Sequence, residues 1–80
     1  MFSLTVDDPN YDEVFTIKSS DENDFIHQVL SNGFFEFALD ELENCDNFDE
    51  DIGWHTADDL VADIVKNMPD EVELIYIRGE

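Results

Sequence analysis

The sequence is short of positive charge and of cysteine. Three of its 80 residues are Lys or Arg, against 22 Asp or Glu, which gives a formal net charge of -19 at pH 7. Nucleic acids and anionic membranes are bound through cationic side chains, so direct binding to either is excluded. Its one cysteine, Cys45, excludes an internal disulfide and fits a reducing compartment.

Targeting and membrane-spanning segments are also lacking. Residues 1–8 contain no basic region followed by a long apolar run, so they do not resemble a secretory signal. No apolar run approaches the roughly 18 residues that a membrane span requires. We therefore expect a cytoplasmic protein.

Motifs for catalysis or cofactor binding are missing as well. There is no glycine-rich phosphate loop and no cysteine or histidine set for a metal. Cys45 has no nucleophile signature, and neighbouring carboxylates raise the pKa of a thiol, so we interpret it as a small buried hydrophobic residue. We expect no enzyme, no catalytic residue and no cofactor; the alternative is an enzyme that uses Cys45 with His27 or His55.

One stretch has a spacing that is typical of calcium ligands. The first, third, fifth and twelfth positions of an EF-hand-like loop are occupied by Asn47, Asp49, Asp51 and Asp58. The sixth position is Ile52 instead of the required glycine, and the twelfth is not glutamate. These departures favour loose condensation of cations over a specific site, so no metal ligand is predicted.

Apolar residues are sufficient for one folded domain. Hydrophobic residues make up 42% of the chain, including seven Phe, two Tyr and one Trp. A chain of this length hides only about 60% of its surface on folding, so its core has to be compact. We expect a single acidic domain over residues 1–80.

Alternation of apolar and polar residues predicts three strands. Residues 2–6 alternate and end at a turn containing Pro9, and a second strand over roughly 13–18 completes an antiparallel hairpin. Residues 72–77 are apolar on both sides, which predicts a third strand that is central or contacted on both faces.

Three helices are predicted between the second and third strands. The first starts with a serine cap at 19–20 and ends at a left-handed stop at 32–33, and the last starts at Thr56 and ends at 67–69. Residues 34–45 fit both a strand and a helix, and their helix formers favour a helix. The predicted fold is α+β, a small antiparallel three-stranded sheet with helices on one face, in the order β-β-α-α-α-β.

Carboxylates dominate residues 36–63, which contain no Lys or Arg but many large apolar residues. Such a mixture indicates a folded surface that presents negative charge to a basic partner, not a solvating tail. Acidic residues of the predicted middle helix recur every three to four positions, about 5–6 Å apart at Cβ. The predicted partner-binding residues are Glu36, Asp40, Glu43, Asp46, Asp49, Glu50, Asp51, Trp54, Asp58 and Asp59.

Trp54 has two interpretations. It lies in a predicted acidic loop over residues 46–55, where it can belong to the core like the other aromatic residues. Alternatively, it is an exposed aromatic anchor surrounded by charge, which is the composition of an interface hot spot.

A strip of carboxylates on a folded scaffold can imitate duplex DNA, which carries one negative charge per about 1.7 Å of axis. In size, acidity and absence of catalytic motifs, the chain resembles the DNA mimics of phages and mobile elements: anti-restriction proteins, anti-CRISPR proteins and inhibitors of uracil-DNA glycosylase. These mimics have unrelated folds and no shared motif, so the resemblance transfers no site residues. It implies a basic nucleic-acid-binding partner such as a CRISPR effector, a restriction enzyme or a DNA-repair enzyme, met in the host cytoplasm. The most specific hypothesis is an anti-CRISPR protein that blocks target-DNA binding by an effector complex.

Other hypotheses remain open at this point. An acidic adaptor or immunity-type protein would neutralise one basic partner without imitating nucleic acid, and competition with DNA distinguishes the two. A halophilic source would explain the acidity without any partner. The sequence leaves open the identity of the partner, the stoichiometry and whether the chain dimerises.

Overall fold

The computed structural model describes residues 1–10, 12–40 and 45–79, with the backbone only for Phe37. It is an α+β fold, as predicted, and its main sheet has three antiparallel strands. The elements are β1 (Phe2–Asp8), β2 (Glu13–Ser19), α1 (Glu22–Ser31), a 3₁₀ turn (Gly33–Phe35), α2 (Glu36–Leu39), β3 (Phe48–Asp49), β4 (Gly53–Trp54), α3 (Ala57–Asn67) and β5 (Glu73–Arg78). None of the helices in these ranges is long and apolar enough to cross a membrane.

The strand order of the main sheet is β2-β1-β5, so β1 is central and β5 is an edge strand. The prediction that the third strand is central or contacted on both faces is wrong. Leu74 and Tyr76 pack against the core, whereas Ile75 and Ile77, on the other face, are 46% and 58% exposed. The apolar pattern on both sides of this strand therefore reflects an apolar face left open to solvent.

The core lies between the sheet and the helices. Alternate residues of the strands point toward α1 and α3, and the ring of Phe25 on α1 lies 5.8 Å from that of Phe2 and 6.2 Å from that of Tyr76. The largest fully buried apolar side chains are Phe25, Phe35, Leu4, Leu60, Ile64, Val6 and Val29. Because the core residues of β1 share one face of the strand, the helices cover one face of the sheet.

Side-chain caps fix the starts of the two longer helices. The cap of α1 is Asp21, which accepts from the amide of Asn23 at 3.0 Å, so the predicted serine cap is displaced by one or two residues. Thr56 caps α3, as predicted, and accepts from the amide of Asp59 at 3.1 Å. Glu22 of α1 also accepts from the amide of Ala57 at 3.0 Å, and this contact joins the starts of the two helices.

The end of α1 differs from the predicted left-handed stop. Asn32 is extended, with φ of -86°, and its side chain accepts from the amide of Phe34 at 2.9 Å. Gly33 therefore begins the 3₁₀ turn instead of closing the helix. An asparagine that caps the following turn removes the need for a left-handed residue.

The predicted order β-β-α-α-α-β is not quite matched. In the described part of the predicted middle helix, 34–45, α2 is a single turn after the 3₁₀ turn, and residues 41–44 lie outside the described ranges. The predicted loop 46–55 contains a second, two-stranded sheet of β3 and β4. An edge-to-face contact of Phe48 with Trp54, with ring centroids 4.9 Å apart, stabilises this small sheet.

Candidate functional site

Residues 46–55 form what we call the acidic hairpin. Phe48 pairs with Trp54 and Asp49 with Gly53, which leaves a three-residue loop over 50–52. Gly53 closes the loop with φ of +85°, a conformation that residues with a Cβ rarely adopt. Glu50 and Asp51 are exposed at the tip. The hairpin therefore presents carboxylates at a tight, defined turn.

Asp63 of α3 binds the acidic hairpin through hydrogen bonds, and its side chain is 1% exposed. The carboxylate accepts from the amide of Asn47 at 3.2 Å, from the side-chain amide of Asn47 at 3.2 Å and from Nε1 of Trp54 at 2.6 Å. Hydrogen bonds to an ionised acceptor are stronger than neutral ones. Because Asn47 precedes β3 and Trp54 lies in β4, one carboxylate holds both sides of the hairpin.

Trp54 belongs to the core, with 9% of its surface exposed. The interpretation as an exposed anchor is wrong, because its ring packs on Phe48 and its indole N–H donates to Asp63. The exposed apolar residue of the hairpin is Ile52, at 63%, which stands at the tip beside the carboxylates.

Asp49 organises the loop of the hairpin. One oxygen accepts from the amide of Asp51 at 2.8 Å, and the other lies 3.0 Å from Nε2 of His55. The backbone hydrogen bond from Asp51, followed by the bond to His55, holds the pKa of Asp49 below its usual value. A lowered pKa in the folded state means that the stabilisation exists above the unfolded pKa and is lost as the pH falls. The charge of Asp49 therefore persists into mildly acidic solution.

Two of the predicted partner-binding residues are neutralised within the molecule. Nζ of Lys66 lies 2.7 Å from Asp46, and Nη1 of Arg78 lies 2.7 Å from Asp58. The hydroxyl of Tyr76 also donates to Asp58 at 2.7 Å, and this bond, with that from Arg78, lowers the pKa of Asp58. A partner would have to replace these contacts before it could bind either carboxylate. These two acids are thus less available to a partner than the tip is.

Glu36 begins α2 and Asp40 directly follows its last residue. Both are exposed, and their separation of four residues corresponds to about 6 Å of helical rise. The third predicted member of this row, Glu43, lies outside the described residues. Asn67 of α3 donates to the carbonyl of Ala38 at 2.9 Å and holds α2 against α3. A second group of exposed carboxylates is therefore carried by an anchored element.

The predicted residues are not all brought together. Asp49, Glu50 and Asp51 share the hairpin tip, and Asp46 lies at its base. Asp58 is at the start of α3, about 12 Å along the helix from Lys66, and its neighbour Asp59 is partly buried. The site consists of a tip and flanking acids, not one continuous row.

The residues with calcium-like spacing have other contacts. The side chain of Asn47 donates to Asp63, and Asp58 is bound by Tyr76 and Arg78. Within the part of the chain that the structure describes, no group of three or more His, Cys, Asp or Glu is arranged to hold a metal ion.

Cys45 is a core residue, 6% exposed, as the sequence indicates. Burial, and then the charge of Asp63, raise the pKa of its thiol. The side-chain amide of Asn67 lies 3.8 Å from its sulfur. A buried thiol with a raised pKa is a poor nucleophile.

The residue that sequence reasoning missed is Asp63. Its signal is position: it stands beside Leu60 and Ile64 in the stripe that α3 buries, where an unpaired carboxylate would be costly. Comparison of the chain with protein-family models, with curated proteins and with solved structures finds no match. Fold and site together define a small acidic α+β protein with an anchored acidic hairpin, and function has to be inferred from these residues.

Proposed function

We propose that the protein is a nucleic-acid-mimicking inhibitor and not an enzyme. It docks the acidic hairpin and α2 into the DNA- or RNA-binding groove of a basic protein and occupies the place of phosphates. The observation that carries the proposal is the anchored tip, where Glu50 and Asp51 are exposed and make no ion pair within the described residues.

Anchoring matters because a binding surface that is already ordered loses less conformational entropy on association. The bonds from Asn47 and Trp54 to Asp63 give the hairpin that order before any partner arrives. The rise of about 6 Å between Glu36 and Asp40 is close to the axial rise of about 6.8 Å between phosphates that are two steps apart on one DNA strand. Glu36 and Asp40 therefore match a spacing that a phosphate-binding groove presents along its axis.

Ile52 gives this surface an apolar contact. It is 63% exposed and lies between the tip carboxylates and Gly53. Charge complementarity mainly accelerates encounter and selects partners, whereas apolar groups desolvated at the centre of an interface carry most of the affinity. We expect Ile52 to be buried against the partner beside its basic groove.

The most specific form of the proposal is an anti-CRISPR protein that blocks target-DNA binding by an effector complex. It is supported by the resemblance in size and acidity to DNA mimics that phages and mobile elements encode. An effector complex holds its nucleic-acid duplex in a positively charged channel, which is the kind of groove that the hairpin would enter.

Capture from a bacterial lysate, with duplex DNA as competitor, tests the broad proposal. We expect a basic nucleic-acid-binding protein to be retained at low salt and to be released by DNA or by high salt. Capture that DNA cannot displace would favour the acidic adaptor, and no capture in any condition would contradict both functions.

Three double variants, each removing two charges, locate the interface. E50Q/D51N changes the hairpin tip, E36Q/D40N changes α2, and D7N/E73Q is the matched control on the open face of the sheet. We expect the first two to weaken capture much more than the control. Equal losses from all three would mean that net charge acts without a defined face.

The narrower proposal is tested with a purified, guide-loaded effector complex. We expect the protein to inhibit binding of target duplex, and the E50Q/D51N variant to inhibit less than the D7N/E73Q control does. An effector whose DNA binding is unchanged would contradict the anti-CRISPR assignment for that effector. The lysate experiment would still decide whether another basic protein is the partner.

A further inference from the structure

A pocket of about 550 Å³ lies where the β1–β2 turn meets the segment before β5. Three carboxylates line it, those of Asp8, Glu13 and Glu71, together with Asn10 and apolar side chains that include Phe34 and Val72. Its volume falls within the range of about 300–1,000 Å³ that is usual for ligand sites. The pocket shares no residue with the acidic hairpin.

Asp8 is what distinguishes this pocket from an ordinary acidic patch. Its side chain is 4% exposed, and one oxygen accepts from the amide of Asn10 at 3.0 Å. Within the described residues, the other oxygen accepts no hydrogen bond, yet it is not sealed from solvent. Because Asp8 lines the pocket, a ligand bound there lies beside this carboxylate.

It is unfavourable for the largely buried carboxylate of Asp8 to have an oxygen without a hydrogen bond. A bound cation would remove this free-energy cost. Burial of a carboxylate is unfavourable unless an opposite charge and hydrogen bonds compensate it. None of the described residues that line the pocket is Lys or Arg. A cation bound in the pocket would therefore supply a positive charge that these lining residues lack.

The rim of the pocket is held in place. The side-chain amide of Asn10 donates to one oxygen of Glu71 at 3.2 Å and joins the β1–β2 turn to the segment before β5. This bond links the two sides of the opening, and the second oxygen of Glu71 accepts no hydrogen bond within the described residues. Phe34, partly buried, adds an aromatic wall.

We propose that this pocket binds the guanidinium group of an arginine side chain presented by a protein partner. A guanidinium offers five N–H donors in a planar fork, which suits carboxylates that approach from several directions. The apolar stem of an arginine side chain suits the part of the wall that Phe34 and Val72 form. The volume admits the side chain together with part of the backbone that carries it. The site lies outside the surface of the proposed function, so each can fail without the other.

Titration of the isotopically labelled chain with N-acetyl-L-arginine amide, followed by NMR, tests this site. The blocked ends make the probe a side-chain mimic, and about 150 mM salt suppresses general attraction to the acidic surface. We expect saturable shifts at the amides of Asp8, Asn10 and Glu71. Shifts spread evenly over the acidic residues, or no saturation, would overturn the proposal.

The matched variants are Asp8→Asn and Asp7→Asn. Both remove one charge from neighbouring positions of β1, but Asp7 is exposed on the opposite face of the sheet. We expect the first to weaken binding of the probe about tenfold and the second to leave it within about twofold, since a charge-assisted bond is lost in one alone. Equal effects of the two substitutions would overturn the proposal.

Two further measurements test the remaining alternatives. If Asp8→Asn fails to fold, Glu71→Gln at the rim is compared with Glu73→Gln, an exposed residue on the outward face of β5. A weaker affinity for Glu71→Gln alone supports the proposal, and equal affinities overturn it. Binding of free L-arginine about tenfold tighter than the blocked form would overturn the assignment to a protein partner. Equal affinities for the two forms support it.

Discussion

Two carboxylates are buried among the described residues, and their surroundings differ. Asp63, beneath the acidic hairpin, is 1% exposed and accepts hydrogen bonds from Asn47 and Trp54 with both oxygens. Asp8, in the pocket beside the β1–β2 turn, is 4% exposed and accepts one, from the amide of Asn10. The first site is complete without a ligand and the second is not, so the first serves the fold and the second is suited to binding.

The same difference separates two uses of negative charge. The charge of Asp63 lies inside the protein, where it strengthens hydrogen bonds from neutral donors and fixes the hairpin. At the tip, the charges of Glu50 and Asp51 are left to solvent or a partner. The protein thus uses one buried acid to position several exposed ones.

The largest effect that follows from this comparison is for Asp63→Asn. Asparagine keeps the shape of the side chain, but its NH2 group replaces one of the two accepting oxygens of Asp63. This NH2 group faces another donor, so one of the N–H groups of Asn47 or Trp54 loses its acceptor. We expect the free energy of unfolding to fall by about 2–4 kcal/mol. Urea unfolding followed by the fluorescence of Trp54 measures it.

Asp59→Asn is the matched control, because it removes the same charge from the same helix at a partly exposed position. Relief of repulsion in a chain of net charge -19 affects both variants alike. If Asp63→Asn were as stable as Asp59→Asn, the buried network would not hold the hairpin.

A smaller effect is expected for Trp54→Phe, which keeps an aromatic ring on Phe48 but removes the donor to Asp63. We expect a loss of about 1–2 kcal/mol, measured by urea unfolding with circular dichroism. A double-mutant cycle with Asp63→Asn separates the hydrogen bond from the change in ring size. Losses that simply add would mean that the indole bond contributes nothing of its own.

Local patterns in the sequence predicted much of the fold. The alternation of Phe2, Leu4 and Val6 predicted β1, and Thr56 predicted the start of α3, because strand faces and helix caps are decided by residues a few positions apart. The α+β class and the three-stranded antiparallel sheet followed from the same signals.

Contacts between distant residues were beyond those patterns. Asp63 meets Asn47 and Trp54 across 16 and 9 positions of the chain, and no local rule joins them. The hairpin of β3 and β4 depends on that contact, so it was predicted as a loop. The ion pairs of Lys66 and Arg78, which neutralise two of the predicted site residues, are equally long-range.

Some of the candidate sites had signals that can be recognised once their meaning is known. Asp63 occupies a position of the buried stripe of α3, and Asp8 continues the inward alternation of Leu4 and Val6 on β1. A carboxylate at a core position demands partners, and the sequence alone does not tell whether these are internal or external. In the structure, the number of hydrogen-bond donors around each carboxylate makes this distinction.

The smallest effect is expected for Asp8→Asn, and it is the sharpest contrast with Asp63→Asn. The new amide oxygen can still accept from Asn10, while a buried charge with one unpaired oxygen disappears. We expect the free energy of unfolding to stay within about 0.5 kcal/mol of that of Asp7→Asn, or to rise above it. Urea unfolding of the two variants in parallel measures the difference.

A loss above about 2 kcal/mol relative to Asp7→Asn would place Asp8 with Asp63 as a structural residue, and would argue against the pocket as a binding site. An unchanged or increased stability, combined with weaker binding of the arginine probe, would have the opposite meaning. Binding sites commonly retain groups that are unfavourable for stability, because the ligand supplies the missing interactions. Of the two buried carboxylates, Asp63 would then maintain the fold and Asp8 would bind a partner.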